Sequence, residues 1–156
     1  MSEAPVIEIQ KLTKKYGNHL AVKDLSLAVR KGEIMGFLGP NGAGKTTTIR
    51  CCLDLIGKTA GTITMFGLDS HRDSIAIRKR TGYVPGDFGL PPVKVRSYLK
   101  YLLSLSGYDS TKNMTSLAER LELDLNRKTN ELSKGNREKV GLVQALMSDP
   151  ELIIID

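Results

Sequence analysis

Eight consecutive residues, Gly39-Pro40-Asn41-Gly42-Ala43-Gly44-Lys45-Thr46, set the tightest limit on what this chain can become. They fit the pattern G-x-x-x-x-G-K-[ST] at every fixed position. An apolar run, Ile34-Met35-Gly36-Phe37-Leu38, leads directly into them, and a helical pattern starts at Lys45. A continuous apolar run of this kind predicts a strand buried on both faces, as in a covered parallel sheet. Strand, glycine-rich turn and helix in that order make a phosphate-holding loop. The glycines permit positive φ and let the backbone come close to phosphate oxygens. The N–H groups around Gly42, Gly44, Lys45 and Thr46 then converge on one concavity, where the helix N-terminus adds about half a positive charge. Lys45 is expected to reach the β- and γ-phosphates, and Thr46 to offer its hydroxyl to Mg²⁺. With glycine near 7% of residues, a chance match arises in roughly one chain in a few hundred. The strand-before, helix-after context makes chance rarer still.

The rest of the chain supplies the elements around that loop. Val6 to Leu12 alternates, with Ile7 and Ile9 on one face, and Leu25 to Val29 repeats the pattern; both predict half-buried strands. Lys31-Gly32 predicts a tight turn. After the loop, Ile49, Cys52, Leu53 and Ile56 form one helical stripe, which Gly57 is placed to end. Thr62 to Phe66 reads as a strand, residues 72–80 as a short basic helix, and Gly82 to Val84 as a brief strand halted by Pro85. Beyond Pro91-Pro92 the stripes Val95, Leu99, Leu102, Leu103 and Val140, Val143, Met147 make residues 93–148 all-helical. The chain closes on Leu152-Ile153-Ile154-Ile155-Asp156, an apolar strand tipped by a carboxylate. Alone, such an Asp is a common turn starter. Paired with the phosphate loop, Asp156 is expected to hold Mg²⁺, often through water.

Composition narrows the class. The chain has 156 residues and 40% hydrophobic content, enough for one domain with its own core. Lys and Arg number 23 against 17 Asp and Glu. That excess suits a solvated surface, nucleotide phosphates or an acidic partner. With no Trp and no aromatic-basic interleaving, nothing points to a nucleic-acid partner. Cys51 and Cys52 are adjacent, so they make neither a disulfide framework nor a zinc site, and they fit a reducing cytosol. Met1 to Pro5 shows no signal-peptide pattern, and no apolar run approaches the ~20 residues that span a bilayer. His19 and His71 read as surface residues.

Several motifs in order resemble those of the ATP-binding cassette (ABC) ATPases, over the whole chain. Gly39 to Thr47, GPNGAGKTT, resembles the family's Walker A, and Ile153 to Asp156 its Walker B. Leu132-Ser133-Lys134-Gly135-Asn136, followed by a helix, resembles the signature sequence LSGGQ. Tyr16 is similar to the aromatic that stacks on adenine, and a flat ring suits that task, although an ordinary strand tyrosine has the same pattern. Thr81 to Pro85 resembles the approach to the Q-loop. Three departures stand out. Lys134 replaces a glycine, Asn136 replaces a glutamine, and Gly86 stands where the Q-loop glutamine is usual. The glutamate that follows Asp in Walker B, and the switch histidine, are not in the sequence.

The resemblance implies an α/β P-loop NTPase fold with a mostly parallel core sheet, an N-terminal antiparallel β subdomain and an inserted helical subdomain, incomplete at the C-terminus. The implied divisions are 1–92 for β subdomain and loop core, 93–148 for the helical subdomain and 149–156 for the Walker B strand. It implies ATP and Mg²⁺ as ligands. Their expected contacts are Tyr16, Gly39, Asn41, Gly42, Ala43, Gly44, Lys45, Thr46 and Thr47, with Thr46 and Asp156 on the metal. Ser133 and Gly135 would touch ATP held by a second ABC ATPase domain in a head-to-tail dimer, while Ser133 also suits a plain helix N-cap. Lys134 would add charge there or be solvated. The other implied partners are transmembrane permease subunits, faced by residues near 86–105, with the chain peripheral at the inner face of the cell membrane. Gly86 and the SKGN form of the signature resemble exporter-type cassettes. Two alternatives are a nucleotide-binding module that does not turn over and a soluble ABC protein outside transport.

Overall fold

The computed structural model describes residues 4–87, 89–107 and 111–156. The reading of the amino terminus, Met1 to Pro5, falls largely outside them. The chain divides into two compact units, residues 1–78 and residues 79–156.

In the first unit, β1 (Ile7–Tyr16) and β2 (His19–Val29) form a long antiparallel hairpin. β3 (Ala60–Met65) pairs with the other edge of β1, and the short β4 (Leu68–Asp69) follows it, giving the order β2-β1-β3-β4. Cross-strand register sets Ile7 opposite Met65 and Ile9 opposite Ile63, and all four side chains are buried. The alternation of β1 then breaks. Lys11 has φ +49°, the register with both neighbours shifts here, and Leu12 rather than Lys11 is buried. A bulge adds one residue and so moves the apolar set to the other parity. Helix α1 (Lys45–Cys52) touches β2 and β3, with Thr48, Cys51 and Cys52 buried. Helix α2 (Ser74–Lys79) closes the unit and buries Ile77.

Two expectations are corrected in this unit. Ile34 to Leu38 is not a strand: Ile34 is 100% exposed and Leu38 91%. A strand exists only where a neighbour answers its N–H and C=O groups, and among the described residues nothing pairs with this run. Helix α1 also stops at Cys52, before Gly57. Asp54 takes φ +53°, and the Leu55 N–H closes the end on the Arg50 carbonyl.

The second unit opens with β5 (Thr81–Val84), which pairs in parallel with β6 (Leu152–Ile155). Between them in sequence lie α3 (Val95–Ser106), α4 (Thr111–Arg120), a 3₁₀ turn at Thr129–Glu131 and α5 (Lys134–Leu146). Their core joins Val95, Leu99 and Leu103 of α3 to Met114 and Ala118 of α4 and Val140 and Val143 of α5. The helical stripes read from the sequence are the ones that face this core. Arg80 and Glu151 brace the start of the sheet with a two-pronged ion pair, at 2.6 and 2.8 Å. No helix among the described residues is long and apolar enough to cross a membrane.

Candidate phosphate-binding site

The loop ahead of α1 owes its shape to two glycines. Gly42 has φ +83° and Gly44 φ +86°. A Cβ on Gly44 would lie 2.5 Å from the Ala21 carbonyl oxygen and 2.9 Å from Val22 Cγ2. The loop backbone therefore rests directly on β2, with no room for a side chain between. A Cβ on Gly42 would meet nothing within 4 Å. Glycine there serves conformation alone, and the space beside it is open. The Ala43 N–H donates to the Pro40 carbonyl at 3.2 Å, and the Thr48 N–H and hydroxyl both donate to the Gly44 carbonyl, at 2.8 and 2.9 Å. These bonds fix the first turn of α1 against the loop.

The electrostatics favour an anion. Gly44, the N-cap, offers no side-chain acceptor, and the first turn of α1 holds no acidic residue. The positive end of the helix is thus neutralised by neither. Lys45 Nζ donates to the carbonyls of Gly39 and Pro40, at 2.6 and 2.8 Å, which folds the ammonium back over the loop. Alongside lies a cleft of roughly 300 Å³, walled by Leu20, Val22 and Leu25 of β2 and by Phe37. That volume is at the lower end of small-molecule pockets, about 300–1,000 Å³. An open turn at Gly42 and an ammonium over the loop fit a phosphate chain, and Lys23 and Lys45 line the cleft beside it. The Thr46 hydroxyl, at the second residue of α1, is an oxygen donor of the kind magnesium takes. Among the described residues no three His, Cys, Asp or Glu side chains cluster to hold a metal by themselves. A magnesium ion needs only one or two protein ligands beside phosphate oxygens and water.

The structure gathers Gly39, Asn41, Gly42, Ala43, Gly44, Lys45, Thr46 and Thr47 in this one loop and helix start. Tyr16 stands at the tip of the β1–β2 hairpin, 48% exposed. The remaining residues singled out in the sequence lie in the second unit. Ser133 is the N-cap of α5, and its Oγ accepts the Asn136 N–H at 3.3 Å. Gly135 is exposed, with nothing within 4 Å of an added Cβ. Asp156 follows β6, its N–H donating to the Val84 carbonyl at 2.9 Å. His19 and His71 are exposed as expected, and His71 Nδ1 lies 3.0 Å from Asp54 Oδ1.

Two contacts of Asp156 escaped the sequence reading. The Tyr83 hydroxyl donates to Asp156 Oδ2 at 3.4 Å. A Cβ on Gly86 would come within 3.1 Å of the Asp156 carbonyl oxygen, so a larger residue there would press on the backbone that carries the carboxylate. Neither contact has a sequence signal, because both depend on the parallel register of β5 and β6. A further contact without a sequence signal joins α3 to α5, where the Tyr98 hydroxyl donates to Gln144 Oε1 at 2.9 Å. Burial raises the Tyr98 phenol pKa above the ordinary value.

Comparison with known proteins places this geometry. A family model described as "ABC transporter" matches residues 22–156. Nod factor export ATP-binding protein I of Cupriavidus pinatubonensis is 36% identical over 158 residues, covering 97% of this chain and 48% of its own length. Zinc import ATP-binding protein ZnuC of Rickettsia conorii is 34% identical over 157 residues, covering 99% of this chain and 63% of its own. The chain thus spans about half to two thirds of the length of these relatives. A solved structure described as the ATP-binding subunit of an ABC transporter superposes with a TM-score of 0.84 at 27% identity, over 97% of this chain and 65% of that one.

Proposed function

Because the chain belongs to the ABC transporter family, as sequence from its ATP-binding subunits, we propose that residues 39–47 bind the triphosphate of Mg·ATP. The observation that carries this is the left-handed turn at Gly42, open beside it, at a helix start with no acidic residue and with the Lys45 ammonium folded over the loop. Phosphate oxygens take the place of the Gly39 and Pro40 carbonyls as partners of Lys45. Magnesium, when bound, neutralises phosphate charge. By the family resemblance, Thr46 would offer its hydroxyl and Asp156 its carboxylate to that ion, and the Tyr83 hydroxyl would orient the carboxylate. Tyr16 stacks on the base, and the apolar β2 wall excludes water on one side.

The wider reading follows the family resemblance. Ser133 and Gly135 close on ATP held by a second cassette in a head-to-tail dimer, with the α5 N-terminus aimed at its phosphates. Closure and hydrolysis then move transmembrane permease subunits, which hold the chain at the inner face of the membrane. The domain division we assign remains 1–92, 93–148 and 149–156. Export is the direction we assign, on Gly86 and the SKGN signature; the relatives carry names of both export and import.

The test is binding of a fluorescent ATP analogue with Mg²⁺ to this chain and to Lys45→Ala. Loss of binding in the variant, with an unchanged far-UV spectrum, is the expected outcome. Undiminished binding would remove the loop from the site.

A further inference from the structure

The tip of the β1–β2 hairpin is fastened to the segment that leaves α1, and the fastening passes through the face of an aromatic ring. Lys14 and Tyr16 are two apart on β1. Lys14 Nζ lies 4.8 Å from the centre of the Tyr16 ring, within cation–π range. The same ammonium donates to the Gly57 carbonyl at 2.6 Å. Beside it, the Lys15 N–H donates to Thr59 Oγ1 and the Thr59 N–H to the Thr13 carbonyl, both at 2.9 Å. Three hydrogen bonds therefore join residues 57–59 to the end of β1. A lysine side chain is ordinarily free on its stem; this one is held at both its backbone and its ammonium.

From this geometry we propose that Lys14 is a positioning residue for nucleotide binding. It covers one face of the Tyr16 ring, fixes the ring's orientation, and leaves the opposite face for a flat, electron-rich base. A cation on one face draws ring electron density toward itself, which favours stacking of such a base on the other. Because the ammonium is anchored on Gly57, the base platform is tied to the segment that follows the phosphate-binding helix. The ligand class is a purine nucleoside triphosphate. The inference rests on the assignment of Tyr16 as base platform and goes beyond it by naming what holds the platform in place.

A positioning role makes a demand that a plain surface charge does not. Lys14 must matter for the base and not for the phosphates. Equilibrium binding of Mg·ATP and of magnesium inorganic triphosphate is measured for this chain, Lys14→Met, Lys14→Arg, Tyr16→Leu and the double variant Lys14→Met with Tyr16→Leu. The expected result is about two- to five-fold weaker Mg·ATP binding in Lys14→Met, the range of an exposed cation–π contact. Triphosphate binding is expected to stay unchanged. Lys14→Arg, which keeps a cation and a donor, restores ATP affinity, and Lys14→Met has no further effect once Tyr16 is leucine. Equal weakening of ATP and triphosphate would overturn the proposal, since Lys14 would then act only as a charge. So would unchanged ATP binding in Lys14→Met while Tyr16→Leu weakens it. If Tyr16→Leu leaves ATP binding intact, the platform assignment fails and the proposal fails with it, and the two failures are distinguished by that arm.

Discussion

Gly44 answers two demands at once, a left-handed backbone and a contact with β2 that excludes any side chain. Gly44→Ala is expected to cost about 1–3 kcal/mol, the range for a strained backbone position, plus the displacement needed to clear the Ala21 carbonyl. Gly42→Ala meets open space and carries only the left-handed term of about 1–2 kcal/mol. Urea unfolding of the two variants checks the order, and a Gly42→Ala midpoint below that of Gly44→Ala would contradict it. The motif pattern revealed the need for both glycines but not the contact, which exists only once β2 lies under the loop. The two thiols give a pH dependence. Burial, followed by the neighbouring Cys51, pushes the Cys52 thiol up to about 12, and burial also raises Cys51. The folded chain thus holds these protons more tightly than the unfolded chain, whose thiols titrate near 8.5. Their contribution to stability is complete below about pH 8.5 and falls as pH rises toward 12. The melting temperature is expected to drop less steeply between pH 9 and 11 in Cys52→Ala than in the parent chain; equal slopes would contradict the buried assignment.

At the scale of elements, legibility followed the source of the apolar pattern. The helical stripes were readable because Leu99, Leu103, Val140 and Val143 pack among themselves within one run of sequence. Strand β1 was readable up to Gln10 and not beyond, because a bulge at Lys11 changes the parity without changing composition. The run Ile34 to Leu38 misled for a different reason. Its apolar content matches a buried strand, but strand formation depends on a partner elsewhere in the chain. Paired substitutions separate these cases. Leu99→Ala, in the α3–α5 core, is expected to lose about 2–5 kcal/mol. Ile34→Ser, at a fully exposed position, is expected to stay within about 0.5 kcal/mol of the parent chain. A large loss for Ile34→Ser in this chain would show that the run is buried.

For the whole molecule, the order of motifs along the sequence was enough to recognise the family, because the motifs fall at fixed places between elements. The phosphate loop lies in the first compact unit, while Ser133, Gly135 and Asp156 lie in the second. Transport direction belongs to a still larger scale, since relatives at similar identity are named for export and for import. The excess of 23 basic over 17 acidic residues fits an anionic ligand without identifying one. Binding at the loop is where all of this meets. Amide chemical shifts of the isotope-labelled chain, followed during titration with Mg·ATP, test it most directly. The largest changes are expected at the amides of Gly42, Gly44, Lys45 and Thr46, and they should disappear in Lys45→Ala. Saturating Mg·ATP that leaves these four amides unmoved would contradict the assignment of the loop as the nucleotide site.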